Sequence, residues 1–304
     1  MTFGFAFFPG QGAQAPGMGK TLYEQCAASK QVFDCASDVC GIDVAKLCFE
    51  SAPEELSRTE NSQIAIFTHS LAAFAALKER GVDFEACAGF SLGEYTALAA
   101  SGIVSTEDGA RIVQKRGQLM QRAADEIDGG MAAVLGLEDA VVEQACAAVD
   151  GIVIPVNYNC PGQLVIAGER AALNAAVEKC KEAGARRAVP LAVSGAFHTP
   201  LMKEAAEELR AFAEGFTFHQ PSMPVYSNLD GKPLAIDRLP EHLERHMVSP
   251  VRWKALVENG MAAGLHTGCE IGPGKTLTGF ARKISKELAV RTVETMEDVI
   301  SVSE

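Results

Sequence analysis

The sequence predicts an α/β fold, in which a larger unit built on a parallel sheet is interrupted by a smaller inserted unit. Short apolar segments with strand character alternate with amphipathic helical segments along the chain, which is typical of a sheet covered by helices. After Asp128 the segments follow the order βαββαβ, the ferredoxin-like arrangement. We therefore expect residues 1–127 and 196–304 to form one domain and residues 128–195 to form a small domain inserted into it.

The elements expected before residue 128 begin with a buried strand at the amino end. That strand is almost wholly apolar and ends at Pro9, and it lacks the basic region of a signal peptide. The long helix that follows places apolar side chains on one stripe, and Gly81 can end it. In chain order these elements are a strand at Phe3–Phe8, a helix at about Ser62–Arg80, a strand at Phe84–Ala88, a helix-forming run at Glu94–Ala100 and a helix at about Glu107–Glu126 with Ser105 or Thr106 as its cap.

The elements expected beyond residue 128 complete the inserted unit and then return to the larger one. The inserted unit is expected to contain a strand at Met131–Leu137, a helix at Glu138–Val149, strands at Ile152–Asn157 and Gln163–Ala167, a helix at Arg170–Ala183 and a strand at Arg186–Leu191. From His198 onward the pattern predicts a helix, a strand at Val225–Ser227, a helix, a strand at Cys269–Ile271 and an acidic tail.

The composition is that of an ordinary globular protein. The 304 residues are 48% hydrophobic and 22% charged, so the chain is long enough to bury a substantial core. No apolar run approaches the roughly 18 to 20 residues that span a bilayer, and we expect a cytoplasmic protein with no membrane partner. The net charge of −12 argues against nucleic acid as a partner, because phosphate binding requires a basic surface.

The nine cysteines form no Cys-x-x-Cys pair and no spacing typical of zinc sites. An odd number of cysteines without a secretion signal indicates reduced thiols that serve mostly as small apolar side chains. We therefore expect no metal site.

The most informative motif is Gly89-Phe90-Ser91-Leu92-Gly93, which stands between a predicted strand and a predicted helix. In that context G-x-S-x-G indicates a nucleophilic serine. Glycines are expected there because the turn is too sharp for a β-carbon on either side, and the amino end of the helix favours developing negative charge. The alternative is a glycine-flanked turn in which the serine is incidental.

A serine nucleophile requires a base, and histidine is the usual one. Of the six histidines, His198 lies in a loop that leads into a helix, with Thr199 as a cap and Pro200 in the first turn. His242 has polar surroundings that indicate no role. A loop histidine without function is the alternative for His198.

Arg116 is an independent indication of chemistry. It falls in the middle of the apolar stripe of the predicted helix at 107–126. A guanidinium aimed into a core must find an anion, because burying it unpaired costs many kcal/mol. The anion is either an acidic side chain in a structural ion pair or a substrate carboxylate held by the bidentate geometry that suits arginine.

Gln11 belongs to the turn Pro9-Gly10-Gln11-Gly12 that follows the first strand. Its amide and the bare backbone N–H groups of the turn can contribute to an oxyanion hole, where one well-placed donor is worth about 3 kcal/mol of barrier. The alternative is a glutamine that faces solvent.

Together these motifs resemble those of malonyl-CoA:acyl carrier protein transacylases and of the acyltransferase domains of polyketide and fatty acid synthases. The resemblance covers about residues 3–290 and implies an α/β-hydrolase-like large domain with a parallel sheet and an inserted ferredoxin-like small domain. The motifs that carry it, in the family's order, are Pro9-Gly10-Gln11-Gly12, Gly89-x-Ser91-Leu92-Gly93-Glu94, Arg116-Gly117-x-Leu119-Met120, Asn157-Tyr158-Asn159-x-Pro161-Gly162-Gln163, Ala196-Phe197-His198, Pro250-Val251-Arg252-Trp253 and Gly272-Pro273-Gly274-Lys275.

The resemblance implies a role for each matching residue. Ser91 is implied as the nucleophile and His198 as its base, and the backbone carbonyl of His246 is implied to orient the imidazole. The side chain of Gln11 and the N–H of Leu92 are implied to form the oxyanion hole. The residues implied to bind substrate are Arg116 on the malonyl carboxylate, Phe197 in a malonyl-selective Ala-Phe pair, Asn157 and Gln63.

The implied reaction moves the malonyl group of malonyl-CoA to the phosphopantetheine thiol of acyl carrier protein through a malonyl-serine, in fatty acid biosynthesis. Coenzyme A and the carrier protein are then the partners, no cofactor is required, and we expect a monomer. Two alternatives stay open: a serine esterase or thioesterase, which needs a triad acid, and a carrier-protein binding module without catalysis.

Two positions depart from the family's pattern. Position 90 is phenylalanine where the family usually has histidine, and we expect changed packing there without loss of activity. Position 246 is histidine where many members have glutamine, which is tolerable if only its carbonyl is used. Carrier proteins are typically acidic, so docking needs a local basic patch. The candidates are Arg186 with Arg187, and Lys275 with Arg282, Lys283 and Lys286. The alternative for each set is a solvated charged face.

Overall fold

The computed structural model describes residues 1–193 and 195–304, and their strands form two sheets. The strands are, in chain order, β1 (Thr2–Phe8), β2 (Asp83–Gly89), β3 (Gly129–Leu135), β4 (Val153–Cys160), β5 (Gln163–Glu169), β6 (Arg187–Pro190), β7 (Val225–Tyr226), β8 (Thr267–Ile271) and β9 (Ala289–Val293). One sheet is parallel, with the order β7-β2-β1-β8-β9. The other is antiparallel, with the order β4-β5-β3-β6, which is the strand order of a ferredoxin-like unit.

The helices connect these strands and supply most of the core. They are α1 (Lys20–Gln25), α2 (Ala27–Cys40), α3 (Val44–Glu50), α4 (Pro53–Leu56), α5 (Thr59–Glu79), α6 (Leu92–Ala100), α7 (Thr106–Glu126), α8 (Asp139–Ala147), α9 (Arg170–Glu182), α10 (Lys203–Ala213), α11 (Leu239–Val248), α12 (Trp253–Ala262), α13 (Thr276–Ile284) and α14 (Met296–Ser303). No helix in the described ranges is long and apolar enough to cross a membrane.

Strand β1 is the central strand of the parallel sheet. Every residue from Phe3 to Phe8 is buried, as expected for a parallel strand covered on both faces. The ring of Phe7 packs edge-on against Trp253, with 5.2 Å between ring centroids. The prediction of a buried first strand is therefore confirmed. Because β2 lies beside β1, the turn after β2 opens at the same edge of the sheet as the turn after β1.

Helix α7 begins and ends close to its predicted limits. Ser105 caps it, since its hydroxyl accepts a hydrogen bond from the backbone N–H of Asp108 at 3.0 Å. Its buried face includes Arg116, as the apolar stripe predicts. Helix α5 differs from its prediction because it begins at Thr59 and is buried on nearly all sides, His69 included. It packs against both α2 and α7. The buried surface of α5 is therefore wider than the single apolar stripe predicted from the sequence.

One backbone segment joins the two sheets. Val251, between α11 and α12, donates its N–H to the carbonyl of Val156 at 2.8 Å. The Val251 carbonyl accepts from the N–H of Tyr158 at 2.9 Å. Both partners belong to β4, so the antiparallel sheet is hydrogen-bonded directly to the larger unit.

The predicted fold class, a parallel sheet with a separate antiparallel sheet, is confirmed. The domain limits at 1–127 with 196–304 and at 128–195 stay a prediction. No element was predicted after Ile271, where α13, β9 and α14 follow, and the acidic residues Glu297 and Asp298 of the expected tail lie in the first turn of α14. The capping box of α14, in which Thr295 and Asp298 exchange side-chain and backbone hydrogen bonds, was the local signal for that last helix. The helices between residues 20 and 56 carried no prediction.

Candidate active site

Ser91 lies in the sharp turn between β2 and α6. Its φ of +52° and ψ of −104° are values that residues other than glycine rarely adopt, and such strain clusters at functional sites. The flanking glycines are required by close approach. A β-carbon on Gly89 would lie 1.8 Å from the carbonyl carbon of Gly93, and one on Gly93 would lie 2.1 Å from the carbonyl oxygen of Phe8. The expectation that this turn has no room for β-carbons is confirmed.

His198 lies within hydrogen-bond distance of the serine. Its Nε2 is 2.7 Å from Ser91 Oγ, and its Nδ1 is 3.0 Å from the carbonyl of His246 and 3.1 Å from that of Ser249. Because carbonyls only accept, Nδ1 carries the proton, and Nε2 accepts the hydrogen bond of the serine hydroxyl. In the described part of the chain both acceptors of Nδ1 are backbone carbonyls, so no carboxylate completes a triad.

The imidazole of His198 is held neutral at pH 7. It is buried, and burial together with the nearby charge of Arg116 lowers the pKa of His198 from 6.5 to about 4. A neutral imidazole with a free Nε2 can take up a proton. The pair therefore has the geometry of a nucleophile and its general base.

Arg116 points from α7 toward the same serine and is only 1% exposed. Its Nη2 donates to Ser91 Oγ at 3.2 Å, and its Nη1 donates to the side-chain oxygen of Gln63 at 2.7 Å. The ring of Tyr95 lies beneath it, with 4.8 Å between Cζ and the ring centroid. Burial lowers the pKa of Arg116, but an arginine stays charged in proteins.

No carboxylate of the described residues lies within salt-bridge distance of Arg116, and its buried Nε has no hydrogen-bond partner among them. The structural ion pair that the sequence left open is therefore not formed in the described ranges. A buried guanidinium next to a serine hydroxyl, neutralised only by more distant groups, is an attractive site for a carboxylate.

Gln11 and Leu92, the two residues expected to form the oxyanion hole, both lie close to Ser91. Leu92 is the first residue of α6, so its N–H has no acceptor within the helix. Gln11 lies in the turn after β1, lines the same cavity as Ser91 and donates from Nε2 to the hydroxyl of Thr59 at 3.2 Å. Gln63, on α5, is completely buried, and its side-chain oxygen accepts the hydrogen bond from Nη1 of Arg116.

A cavity of about 90 Å³ opens over Ser91 and is walled by both units. The parallel-sheet unit supplies one wall. The antiparallel-sheet unit and the segment that follows β6 supply the other. The lining residues are Gln11, Phe90, Ser91, Met120, Met131, Asn157, Leu191, Val193, Phe197 and His198. Apart from the reacting groups the lining is mostly apolar, and the side-chain oxygen of Asn157 is buried there without a partner among the described residues.

Phe90 belongs to an aromatic cluster beside the nucleophile. Its ring centroid lies 5.8 Å from that of Trp253 and 6.1 Å from that of Phe280. The unusual phenylalanine therefore packs against neighbouring rings and takes no part in the hydrogen bonds of Ser91.

The sequence assigned no role to four further residues that lie around the site. The carbonyl of Ser249 shares Nδ1 of His198 with His246. The side chain of Asn228 accepts from the N–H of Ser91 at 2.8 Å. Glu94 and His242 form a buried pair, with 2.5 Å between Oε1 and Nε2. His242, whose surroundings indicated no role from the sequence, is therefore buried and paired with a carboxylate. Glu94 carried a signal, since it is a single charge in an otherwise uncharged helix.

The model of the acyl transferase domain family matches residues 6–302. The chain is 41% identical over 297 residues to the malonyl CoA-acyl carrier protein transacylase of Bacillus subtilis (strain 168), which covers 95% of this chain and 94% of that protein. An acyl carrier protein S-malonyltransferase from Vibrio cholerae has a similar crystal structure, with a TM-score of 0.93 and 42% identity over 98% of this chain and 99% of that one. A malonyl-transacylase solved in complex with a type II PKS acyl-carrier protein gives a TM-score of 0.94 and 40% identity over 98% of each chain.

Proposed function

The chain belongs to the acyl transferase family, and on that premise we propose that it transfers the malonyl group of malonyl-CoA to the phosphopantetheine thiol of acyl carrier protein, in fatty acid biosynthesis. The observation that carries the choice of acyl group is Arg116. It is a buried cation without a carboxylate partner in the described ranges, and it donates to the hydroxyl of Ser91. A carboxylated acyl group on that serine places its anion within reach of the guanidinium.

The first half of the reaction acylates the serine. As Ser91 Oγ attacks the thioester carbonyl, its proton passes to Nε2 of His198, 2.7 Å away. The imidazolium is stabilised because its Nδ1–H already donates to the carbonyls of His246 and Ser249. When the carbon–sulfur bond breaks, the same Nε2 returns the proton to the leaving thiolate of coenzyme A. The product is a malonyl ester on Ser91.

The second half reverses the proton movements with another thiol. Nε2 of His198 takes the proton of the phosphopantetheine thiol as the sulfur attacks the malonyl ester. The carbon–oxygen bond to Ser91 breaks, and the serine regains its proton from the imidazolium. Because both halves break and form bonds to the same carbonyl carbon, one arrangement of groups serves both steps.

We assign the remaining residues around this chemistry as follows. The N–H of Leu92 and the amide of Gln11 stabilise the oxyanion, provided that Gln11 exchanges its present contact with Thr59 for the substrate oxygen. Gln63 holds the guanidinium of Arg116 in place. Asn157, whose buried side-chain oxygen has no partner among the described residues, and Phe197 shape the acyl cavity.

We propose that the carrier protein docks at Arg186 and Arg187. Both side chains are exposed at the start of β6, and the chain continues from β6 directly to Leu191 and Val193 at the cavity. An acidic partner held there has a short path for its phosphopantetheine arm. The second basic patch, at Lys275, Arg282, Lys283 and Lys286, remains the alternative. A monomer, a cytoplasmic location, and the absence of cofactors and of nucleic-acid partners stay predictions.

Mass spectrometry of the intact protein tests the proposal. Incubation with malonyl-CoA is expected to add one malonyl group to the wild type and none to Ser91→Ala. Addition of holo-carrier protein is expected to remove the adduct and to place it on the carrier. Rapid loss of the adduct to water without any carrier indicates a thioesterase. Carrier binding without an adduct indicates a binding module. Either result contradicts malonyl transfer.

A further inference from the structure

A buried carboxylate lies directly behind the nucleophile. Glu94, in the first turn of α6, is completely buried. Its Oε2 accepts from the backbone N–H of Asn228 at 2.6 Å, and its Oε1 accepts from Nε2 of His242 at 2.5 Å. A carboxylate shielded from solvent needs such donors, because burying a charge is costly unless the charge is paired and hydrogen-bonded. Glu94 therefore connects α6, the loop after β7 and α11.

The side chain of Asn228 makes two hydrogen bonds to the backbone that leads into Ser91. Its Nδ2 donates to the carbonyl of Gly89 at 2.7 Å, and its Oδ1 accepts from the N–H of Ser91 at 2.8 Å. The same Oδ1 is 3.3 Å from Nε2 of His246, which donates to it. The carbonyl of His246 in turn accepts from His198. One asparagine thus touches the backbone of the nucleophile and the residue that orients the base.

The backbone of Ser91 needs this support. Its φ of +52° with ψ of −104° lies in a sparsely populated region, and such a conformation persists only where the surroundings over-determine it. Asn228 fixes the two successive peptide groups that lead into the serine, Gly89–Phe90 and Phe90–Ser91, and Glu94 fixes the backbone of Asn228. The strain of the turn is therefore held by a chain of hydrogen bonds that ends at His242.

We propose that Glu94 and His242 are positioning residues of the malonyl transfer, a proposal that rests on the proposed function. Neither residue lines the acyl cavity, so neither touches the substrate. His242 instead lies on the wall of a second cavity of about 370 Å³. The pair acts through Asn228 on the orientation of Ser91 and through His246 on that of His198. Its loss is expected to lower kcat and to leave the KM for malonyl-CoA unchanged.

Two amide substitutions at position 242 separate positioning from packing. The side-chain nitrogen of glutamine reaches about as far as Nε2 of histidine, so His242→Gln keeps the donor to Glu94. His242→Asn carries the same amide on a shorter side chain and cannot reach. Because the site borders a cavity, both polar side chains are tolerated. The glutamine variant is expected to keep kcat within about threefold of the wild type, and the asparagine variant to lose about 10- to 100-fold, the cost of small misplacements of reacting groups.

Chemical rescue gives a second readout. His242→Ala leaves a hole that joins the neighbouring cavity, so added imidazole can enter and donate to Glu94. Imidazole is expected to raise the kcat of the alanine variant several-fold and to leave the wild type unchanged. His266→Leu changes an exposed histidine and serves as the control with unaltered kcat. All variants are compared below their melting temperatures.

The outcomes distinguish this proposal from the proposed function. A wild type that transfers no malonyl group contradicts the function itself. An active wild type with equal kcat for the asparagine and glutamine variants overturns the positioning role alone. A change confined to KM, or an alanine variant with lowered kcat that imidazole does not rescue, overturns it as well.

Discussion

Replacing Arg116 by alanine changes which acyl group the site prefers. The guanidinium is 1% exposed and already hydrogen-bonded to Gln63 and Ser91, so a malonyl carboxylate meets a pre-positioned and desolvated cation. Truncating one partner of a buried, hydrogen-bonded charge pair costs about 2 to 5 kcal/mol. At 1.36 kcal/mol for each factor of ten, kcat/KM for malonyl-CoA is expected to fall by about 30- to 5,000-fold.

Acetyl-CoA responds differently to the same substitution. An acetyl group has no carboxylate, and in the wild type it leaves the buried guanidinium unpaired, which a polar site penalises. Arg116→Ala removes that penalty. The transfer of acetyl groups is therefore expected to stay level or to improve, and the malonyl-to-acetyl preference falls by at least the factor lost on malonyl-CoA. Arg116→Lys keeps the charge without the planar fork and is expected to fall between the two.

The assay measures adduct formation on Ser91 from malonyl-CoA and acetyl-CoA separately, by quenched-flow mass spectrometry. Arg122→Ala is the matched control, because Arg122 lies on the same helix and its exposed side chain pairs with Glu208. Its preference is expected to equal that of the wild type. An Arg116→Ala variant that is folded and active with an unchanged malonyl-to-acetyl ratio would refute the role of the guanidinium as a carboxylate clamp.

Three further predictions concern the turn and the buried histidines. Gly93→Ala is expected to abolish folding or to lower the melting temperature severely, since its β-carbon would lie 2.1 Å from the carbonyl oxygen of Phe8; a normal melting curve contradicts this. The pKa of His198 is lowered to about 4, so the acylation rate, measured by pH jump, is expected to stay level down to about pH 5 and to halve near pH 4. A midpoint near the ordinary 6.5 would show that the base is not this buried imidazole. Burial also lowers the pKa of His69 to about 4. Between pH 6.5 and 4 the unfolded chain binds protons on both imidazoles that the folded chain does not bind. Lowering the pH across this window is therefore expected to lower the free energy of unfolding by about 3 kcal/mol for each histidine. Urea titrations across that window test the slope, and a flat profile contradicts it.

Two of the reacting residues, Ser91 and Arg116, were accessible from the sequence because each carries a local signal. Ser91 has flanking glycines between a strand and a helix, and Arg116 interrupts an apolar stripe. These patterns depend on the geometry of one turn or one helix, which sequence spacing determines. His198 needed the family resemblance, since a histidine before a helix has no chemistry of its own.

The supporting hydrogen bonds were not accessible in the same way. Asn228 follows β7, and Glu94 and His242 lie on two different helices. Their meeting depends on how α6, α11 and the end of β7 pack, which no periodicity encodes. The charge of Glu94 in an otherwise uncharged helix was a usable signal of the same kind as Arg116. The position of Asn228 at the carboxyl end of a parallel strand was a second one.

The backbone pairing of Val251 with β4 gives the wall of the acyl cavity and the acceptors of His198 a common support. Val251 lies two residues after Ser249, whose carbonyl accepts from His198, and its hydrogen bonds attach it to β4, which also carries Asn157 on the cavity wall. We expect an acyl group too bulky for the cavity to displace that wall and, through Val251, the carbonyls that accept from the imidazole. A poorly fitting acyl group is therefore expected to slow proton transfer to His198 as well as to bind more weakly.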